Sequence, residues 1–314
     1  MKEIKAPKGY ALNPETKTVT ISSGRESKVM FEDVPQLCTI EILLRKTDAD
    51  TGENKPQGAA TFRGARFTVK YYDGLWEEDT DPEKLGKTAK RTWVFETDED
   101  GQCSYGKKHL VSGDALYVDL NGRPAVPIGT ITIQETKAPE GYLLNPELFV
   151  RQITAKGNTE SVDTYNTLGV PERILKLDLI KRQEGLDVPI PGVKFEHESP
   201  DGKKETIETD QNGELTLKGL QYGTHKIQEI SVMEGYLLNG NVIEFYVAQD
   251  NQISITSKID DTLGKAEIQV TDKGNIIVTM EDPLAPFRLL IHKENQKGKR
   301  LEGAEFTLYA EKTC

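Results

Sequence analysis

Glu135–Asn145 reads ETKAPEGYLLN, Glu3–Asn13 reads EIKAPKGYALN and Glu229–Asn239 reads EISVMEGYLLN. In each stretch a Glu stands seven residues before a Tyr, a Gly precedes the Tyr, and Leu-Asn follows one residue after it. Three such boxes in one chain establish an internal repeat, and the repeat decides the architecture.

Two further patterns recur around the boxes. Upstream lie RGARFTV (Arg63–Val69), PGVKFEH (Pro191–His197) and EGAEFTLY (Glu302–Tyr309). Each follows an apolar segment that ends in Lys: CTIEILLRK (Cys38–Lys46), ILKLDLIK (Ile174–Lys181) and FRLLIHK (Phe287–Lys293). Closing segments complete the units: KVMFEDVP (Lys28–Pro35), SVDTYNT (Ser161–Thr167) and IIVTMEDP (Ile276–Pro283). The segments are short, alternate with period two and are bounded by Gly, Pro, Asn and Asp, which predicts strands throughout. The expected fold class is all-β, a tandem series of β-sandwiches. The units run 1–35 (part of a repeat), 36–171 and 172–286 (complete), and 287–314 (part of a repeat), with LGVPE (Leu168–Glu172) and PLAP (Pro283–Pro286) as linkers. On this reading both ends are cut from a longer array.

Strand parity picks out the chemistry. Lys46 shares a face with Ile40, Ile42 and Leu44, and Lys181 with Leu175, Leu177 and Leu179. Lys293 shares one with Phe287, Leu289 and Ile291, whereas Lys176 falls on the polar face with Asp178. Glu135 follows Ile131 and Ile133, and Glu229 follows Ile227. Asn166 follows Val162 and Thr164, Asp282 follows Ile276, Val278 and Met280, and Asp33 follows Val29 and Phe31. Each complete unit thus points one Lys, one Glu and one Asn or Asp into its core. Burial disfavours charge, raising carboxyl pKa values and lowering amine ones. A neutral amine is a nucleophile, and a carboxamide or protonated acid is its electrophile. A protonated Glu beside them serves as the proton shuttle. The expected product is an intramolecular isopeptide bond, formed once, so the chain is not an enzyme in the turnover sense. The bland alternative is a buried ion network with no bond, which costs stability.

These patterns resemble the collagen-adhesin B-type, or SpaA-like, domains of Gram-positive surface proteins and pilins. The resemblance implies a prealbumin-like, reverse-immunoglobulin β-sandwich, isopeptide formation, secretion and cell-wall attachment by sortase. Carried over by match, it gives Lys46, Glu135 and Asn166 the bonding and catalytic roles in the first unit, and Lys181, Glu229 and Asp282 those in the second. Asp261 is a rival to Asp282, because it lies 32 residues after Glu229, near the 31 from Glu135 to Asn166. Glu3, Asp33 and Lys293 are counterparts in the partial units. The implied function is an extracellular, cell-wall-anchored stalk or pilus-type repeat region. Its partners are neighbouring repeats, and sortase and peptidoglycan through other segments.

The rest of the sequence bounds other readings. A net charge of −11, from 51 acids against 40 Lys and Arg, argues against nucleic acid and anionic membrane as partners. No apolar run approaches the length of a membrane span. The N-terminal residues carry no apolar targeting core. The three cysteines, Cys38, Cys103 and Cys314, form neither a disulfide framework nor a zinc pair. Cys103 reads as an exposed thiol in a polar turn and Cys38 as a buried one. The four histidines lack metal spacing, and no cofactor is called for. TDADTG (Thr47–Gly52) reads as a turn and not a calcium loop, because Ala59 stands where an EF-hand needs its last carboxylate. One rival function is a host-ligand adhesin binding matrix protein or glycan, resting on the long insert 71–90 with Trp76. Another is an accessory region of an extracellular enzyme.

Overall fold

The computed structural model describes residues 1–155 and 162–307. Two β-sandwiches follow one another. The first packs the five-stranded sheet of Leu148–Ile153, Gly129–Lys137, Arg66–Tyr72, Arg91–Glu96 and Leu110–Gly113 against the four-stranded sheet of Gln102–Cys103, Leu44–Asp48, Leu168–Ile174 and Tyr142–Leu143. The second packs Glu214–Lys218, Lys176–Gln183, Ile276–Asp282 and Lys265–Val270 against Lys204–Glu208, Lys194–Glu198, Gly223–Ser231, Val242–Val247 and Ile253–Ile255. Among the described residues the helical elements are two short 3₁₀ turns, and no helix is long and apolar enough to cross a membrane.

The inward positions that the alternation picks out are buried. Leu44, Phe67, Val69, Trp93, Phe95, Ile131 and Ile133 lie in the first core, and Leu177, Leu179, Phe195, Ile227, Phe245 and Val278 in the second. The strand joining the sequence's ends of each sandwich is the one that matters for the site. Leu168–Ile174 runs parallel to Leu44–Asp48 with Val170 opposite Lys46, and Ile276–Asp282 runs parallel to Lys176–Gln183 with Met280 opposite Lys181.

Three sequence expectations are corrected here. Cys38–Lys46 is not one strand: Leu37–Cys38 pairs separately with Val126–Pro127, and the opening strand starts at Leu44. LGVPE is not a linker. It lies in the first sandwich's closing strand, whose alternation Leu168, Val170, Glu172, Ile174 faces inward. The sheets therefore part between Ile174 and Lys176, not at 171/172. Phe287–Lys293 forms no strand, and its side chains are exposed.

The box residues just before the tyrosine reach the seam between the sandwiches. Tyr142 stacks on Phe62 at 5.1 Å and donates its hydroxyl hydrogen to Asp48 Oδ2 at 3.0 Å. Across the seam, the Tyr222 N–H donates to Glu140 Oε1 at 2.8 Å. Gly141 has φ +84°, and a Cβ there would stand 2.6 Å from the Ala60 Cβ. Only glycine meets both demands.

Candidate functional site

Each sandwich encloses one lysine among carboxylates. Lys46 and Lys181 are fully buried, as are Glu172 and Asp282, and Glu135 and Glu229 nearly so. Lys46 Nζ donates to Glu135 Oε1 and Glu172 Oε1. Lys181 Nζ donates to Glu229 Oε2 at 2.7 Å and to Asp282 Oδ1. Two sheets supply each cluster. The lysine and the closing acid come from adjacent parallel strands of the four-stranded sheet, and the box glutamate from the facing sheet. Parity carries the geometry: the closing acid is two residues beyond the lysine's partner, so it shares the lysine's face. The aromatic of the upstream pattern sits opposite the box glutamate, Phe67 against Glu135 and Phe195 against Glu229. The amines lie over those rings, Lys46 Nζ 4.6 Å and Lys181 Nζ 6.0 Å from the centroids.

The second sandwich brings together Lys181, Glu229 and Asp282. Asp261 is exposed in a 3₁₀ turn, away from them. The first sandwich brings together Lys46 and Glu135 but not Asn166, and this corrects the sequence reading. Asn166 is exposed, and its neighbours Tyr165 and Thr167 bond the carbonyls of Leu43 and Ile42. It lies six residues before Glu172 along the chain, about 20 Å at strand spacing. Glu172 is the residue in contact with Lys46. Its signal was in the sequence, because Leu168, Val170, Glu172 and Ile174 alternate without a break.

Burial raises the pKa of Glu172, and the Glu135 charge raises it further. Burial also raises Glu135, Glu229 and Asp282, against the lowering effect of their lysines. One lysine and two carboxylates, all ionised, would leave one net negative charge in an apolar core, which is costly. Uptake of one proton makes the cluster neutral. An ammonium with one carboxylate and one acid then has the same net charge as a free amine with two acids. Proton movement inside the cluster converts one into the other with no charge crossing the core. Glu172 Oε2, Glu229 Oε1 and Asp282 Oδ2 are buried without a hydrogen-bond partner, which suits protonated or reacting oxygens.

The partial unit 1–35 holds its own pieces. Glu3 Oε2 accepts from the Asn13 N–H at 2.6 Å, and Asp33 Oδ1 is buried and unpartnered. Lys293 is exposed and joins no cluster among the described residues.

Other side chains depart from their sequence reading. Cys103 is buried, not exposed, and burial pushes its thiol up to about 12. Cys38 is buried as well, and Cys314 lies outside the described residues. Trp76 is half-buried, with its ring edge-on to Tyr72 at 5.9 Å, so the insert presents no open indole platform. His197 and His225, distant in sequence, stand on paired strands with Nε2 and Nδ1 3.0 Å apart. His225 Nε2–H donates to the Gln221 carbonyl, so its Nδ1 accepts from His197 Nε2–H. Burial holds His225 down at about 4. No metal-binding cluster of His, Cys, Asp and Glu occurs among the described residues.

A family model for the SpaA prealbumin-like fold domain matches this chain twice, over residues 41–168 and 176–263. Among solved structures, the chain is similar to a Bacillus anthracis TIE protein at 15% identity and TM-score 0.36, covering 84% of this chain and 41% of that one. It is similar to a C-terminal fragment of the pilus adhesin SpaC from Lactobacillus rhamnosus GG at 18% and 0.39, covering 79% and 98%. It is also similar to GBS52, a minor pilin of Streptococcus agalactiae, at 16% and 0.23, covering 76% and 90%. No curated protein matches the sequence.

Proposed function

Because the chain belongs to the SpaA prealbumin-like fold family, we propose that its sandwiches are stalk segments of a secreted, cell-wall-attached surface protein, each stapled by a lysine amide. The observation that supports this reading is the pair of sealed lysine–carboxylate clusters. Their lysine and acid side chains have no exposed surface, so the groups within reach of each lysine are its carboxylates.

In the second sandwich the Lys181 Nζ lone pair attacks the Asp282 side-chain carboxyl carbon. Glu229, protonated, donates a hydrogen bond to that carboxyl and passes its proton to the departing oxygen. It then takes one back from the new nitrogen. A C–N bond forms, a C–O bond breaks and one water leaves. In the first sandwich Lys46, Glu172 and Glu135 take the same roles, and water leaves again. Positioning supplies the driving advantage, with about 7–11 kcal/mol available from held near-attack geometry. The linked strands are the first and last of each sandwich, so tension along the chain runs through the amide and bypasses the strands between. A host-ligand role drew its support from an exposed Trp76, and the half-buried indole removes that support.

Intact-mass spectrometry of the purified chain tests the reading. The expected mass is the sequence mass less two waters. The full sequence mass would overturn it.

A further inference from the structure

We infer that the last residue of each box, Asn145 in the first sandwich and Asn239 in the second, is the positioning residue of the crosslinking reaction. The inference rests on the crosslinking reading above. It comes from one set of side-chain contacts, present three times, and from a main-chain bond present twice. The Asn145 N–H donates to Glu135 Oε2 at 2.7 Å, and the Asn13 N–H makes the same bond to Glu3. Each Asn side-chain oxygen accepts from the N–H two residues on: Glu15 at 2.9 Å, Glu147 at 3.0 Å and Asn241 at 3.0 Å. Each Nδ2 donates to the carbonyl just before the closing acid: Glu32 at 2.8 Å, Pro171 at 2.9 Å and Glu281 at 3.0 Å.

In the first sandwich one residue therefore grips both carboxyl-bearing segments, and in the second it holds the segment of the closing acid. Its main chain ties one oxygen of Glu135 and leaves the other for Lys46. Its side chain fixes the peptide that leads into Glu172 or Asp282, and so fixes where the reacting carbon sits. The job needs an acceptor and a donor on a short side chain. Asp has the shape without the donor, Ser has a donor but less reach, and Gln is too long for the turn. The 1–35 segment makes all three bonds with no lysine bonded to Glu3 or Asp33 among the described residues, so the grip does not depend on the lysine. The asparagine prepares the acids before the amine arrives.

The test uses the whole chain, made by cell-free synthesis, with the Lys181–Asp282 linked peptide followed by mass spectrometry against time. The variants are Asn239→Asp and Asn239→Ser. Asn239→Asp keeps the turn but turns a donor into a carboxylate facing a carbonyl. At neutral pH its rate should fall about tenfold or more, the scale of one lost hydrogen bond. The gap to the unmodified chain should narrow as pH falls, because the introduced carboxyl regains a donor when protonated. Asn239→Ser should be intermediate, and it decides the matter if Asn239→Asp does not fold by circular dichroism. An unchanged rate, or a slowing equal at every pH, overturns the inference. If the unmodified chain itself forms no linked peptide, the crosslinking reading falls, an outcome distinct from a fast Asn239→Asp variant.

Discussion

Pulling on single molecules separates a stapled stalk from an ordinary one. Lys181 and Asp282 are 101 residues apart in sequence, and Lys46 and Glu172 are 126 apart. A closed amide keeps everything between its ends out of the stretched chain. At about 3.6 Å per residue, the hidden lengths are about 360 Å and about 450 Å. The perturbations are Asp282→Ala and Glu172→Ala. Both remove the electrophile but keep a balanced Lys–Glu pair, so each sandwich avoids an uncompensated buried charge. With the chain held near its ends, the unmodified protein should show neither unfolding step. Asp282→Ala should release the shorter length alone, and Glu172→Ala the longer one alone. The reasoning is refuted if the unmodified chain releases both lengths at forces typical of uncrosslinked sandwiches. Release of only the longer step would confine the staple to the second sandwich.

Other expectations follow from the same clusters. Asn166→Ala should leave the mass deficit and the melting temperature unchanged, within about 0.5 kcal/mol for an exposed position, while Glu172→Ala should remove one water from the deficit; intact mass and thermal melts check both. Lys181→Met leaves Glu229 and Asp282 buried without their cation. Their folded pKa values, already raised by burial, then rise further. A raised acid binds its proton more tightly folded than unfolded, so stability is full at low pH and is lost as pH rises above the unfolded carboxyl pKa. The variant's melting temperature should fall as pH rises from about 4, the ordinary carboxyl range, and a flat or rising profile would contradict the assignment. His225 has the opposite sign. Its depressed folded pKa means stability is present above about 6.5 and is lost as pH falls to about 4. His225→Gln should flatten that acid limb in thermal melts, and an unchanged limb would place its cause elsewhere.

Much of this molecule is legible in its sequence, because a strand's period of two assigns faces without a structure. The alternation that ends in Lys46 and Lys181, and the one that ends in Glu135 and Glu229, are local and unambiguous. Lys176 falls out by parity, and it pairs with Asp178 at 2.9 Å on the outer face. The first closing acid was misread because pattern recurrence competed with alternation. SVDTYNT looks like a closing strand, but the strand that pairs with Leu44–Asp48 begins only at Leu168. Register between distant strands is set by the whole sheet, and no local spacing encodes it. The surer guide is the box tyrosine. Tyr10 pairs with Pro35, Tyr142 with Ile174 and Tyr236 with Leu284, and the acid lies two residues before each partner. The histidine pair was invisible for the same reason. His197 and His225 are 28 residues apart and meet only through strand pairing. Cys103 was misplaced because its polar neighbours describe the turn, while its own side chain points inward at the start of the opening sheet.

Peptide mapping of a protease digest bears most directly on the staples. The account predicts two branched peptides, one joining Lys181 to Asp282 and one joining Lys46 to Glu172, each lighter by one water than its two linear parts. Linear peptides carrying free Lys181 and Lys46 in full yield, or a branch from Lys46 to Asn166, would contradict it.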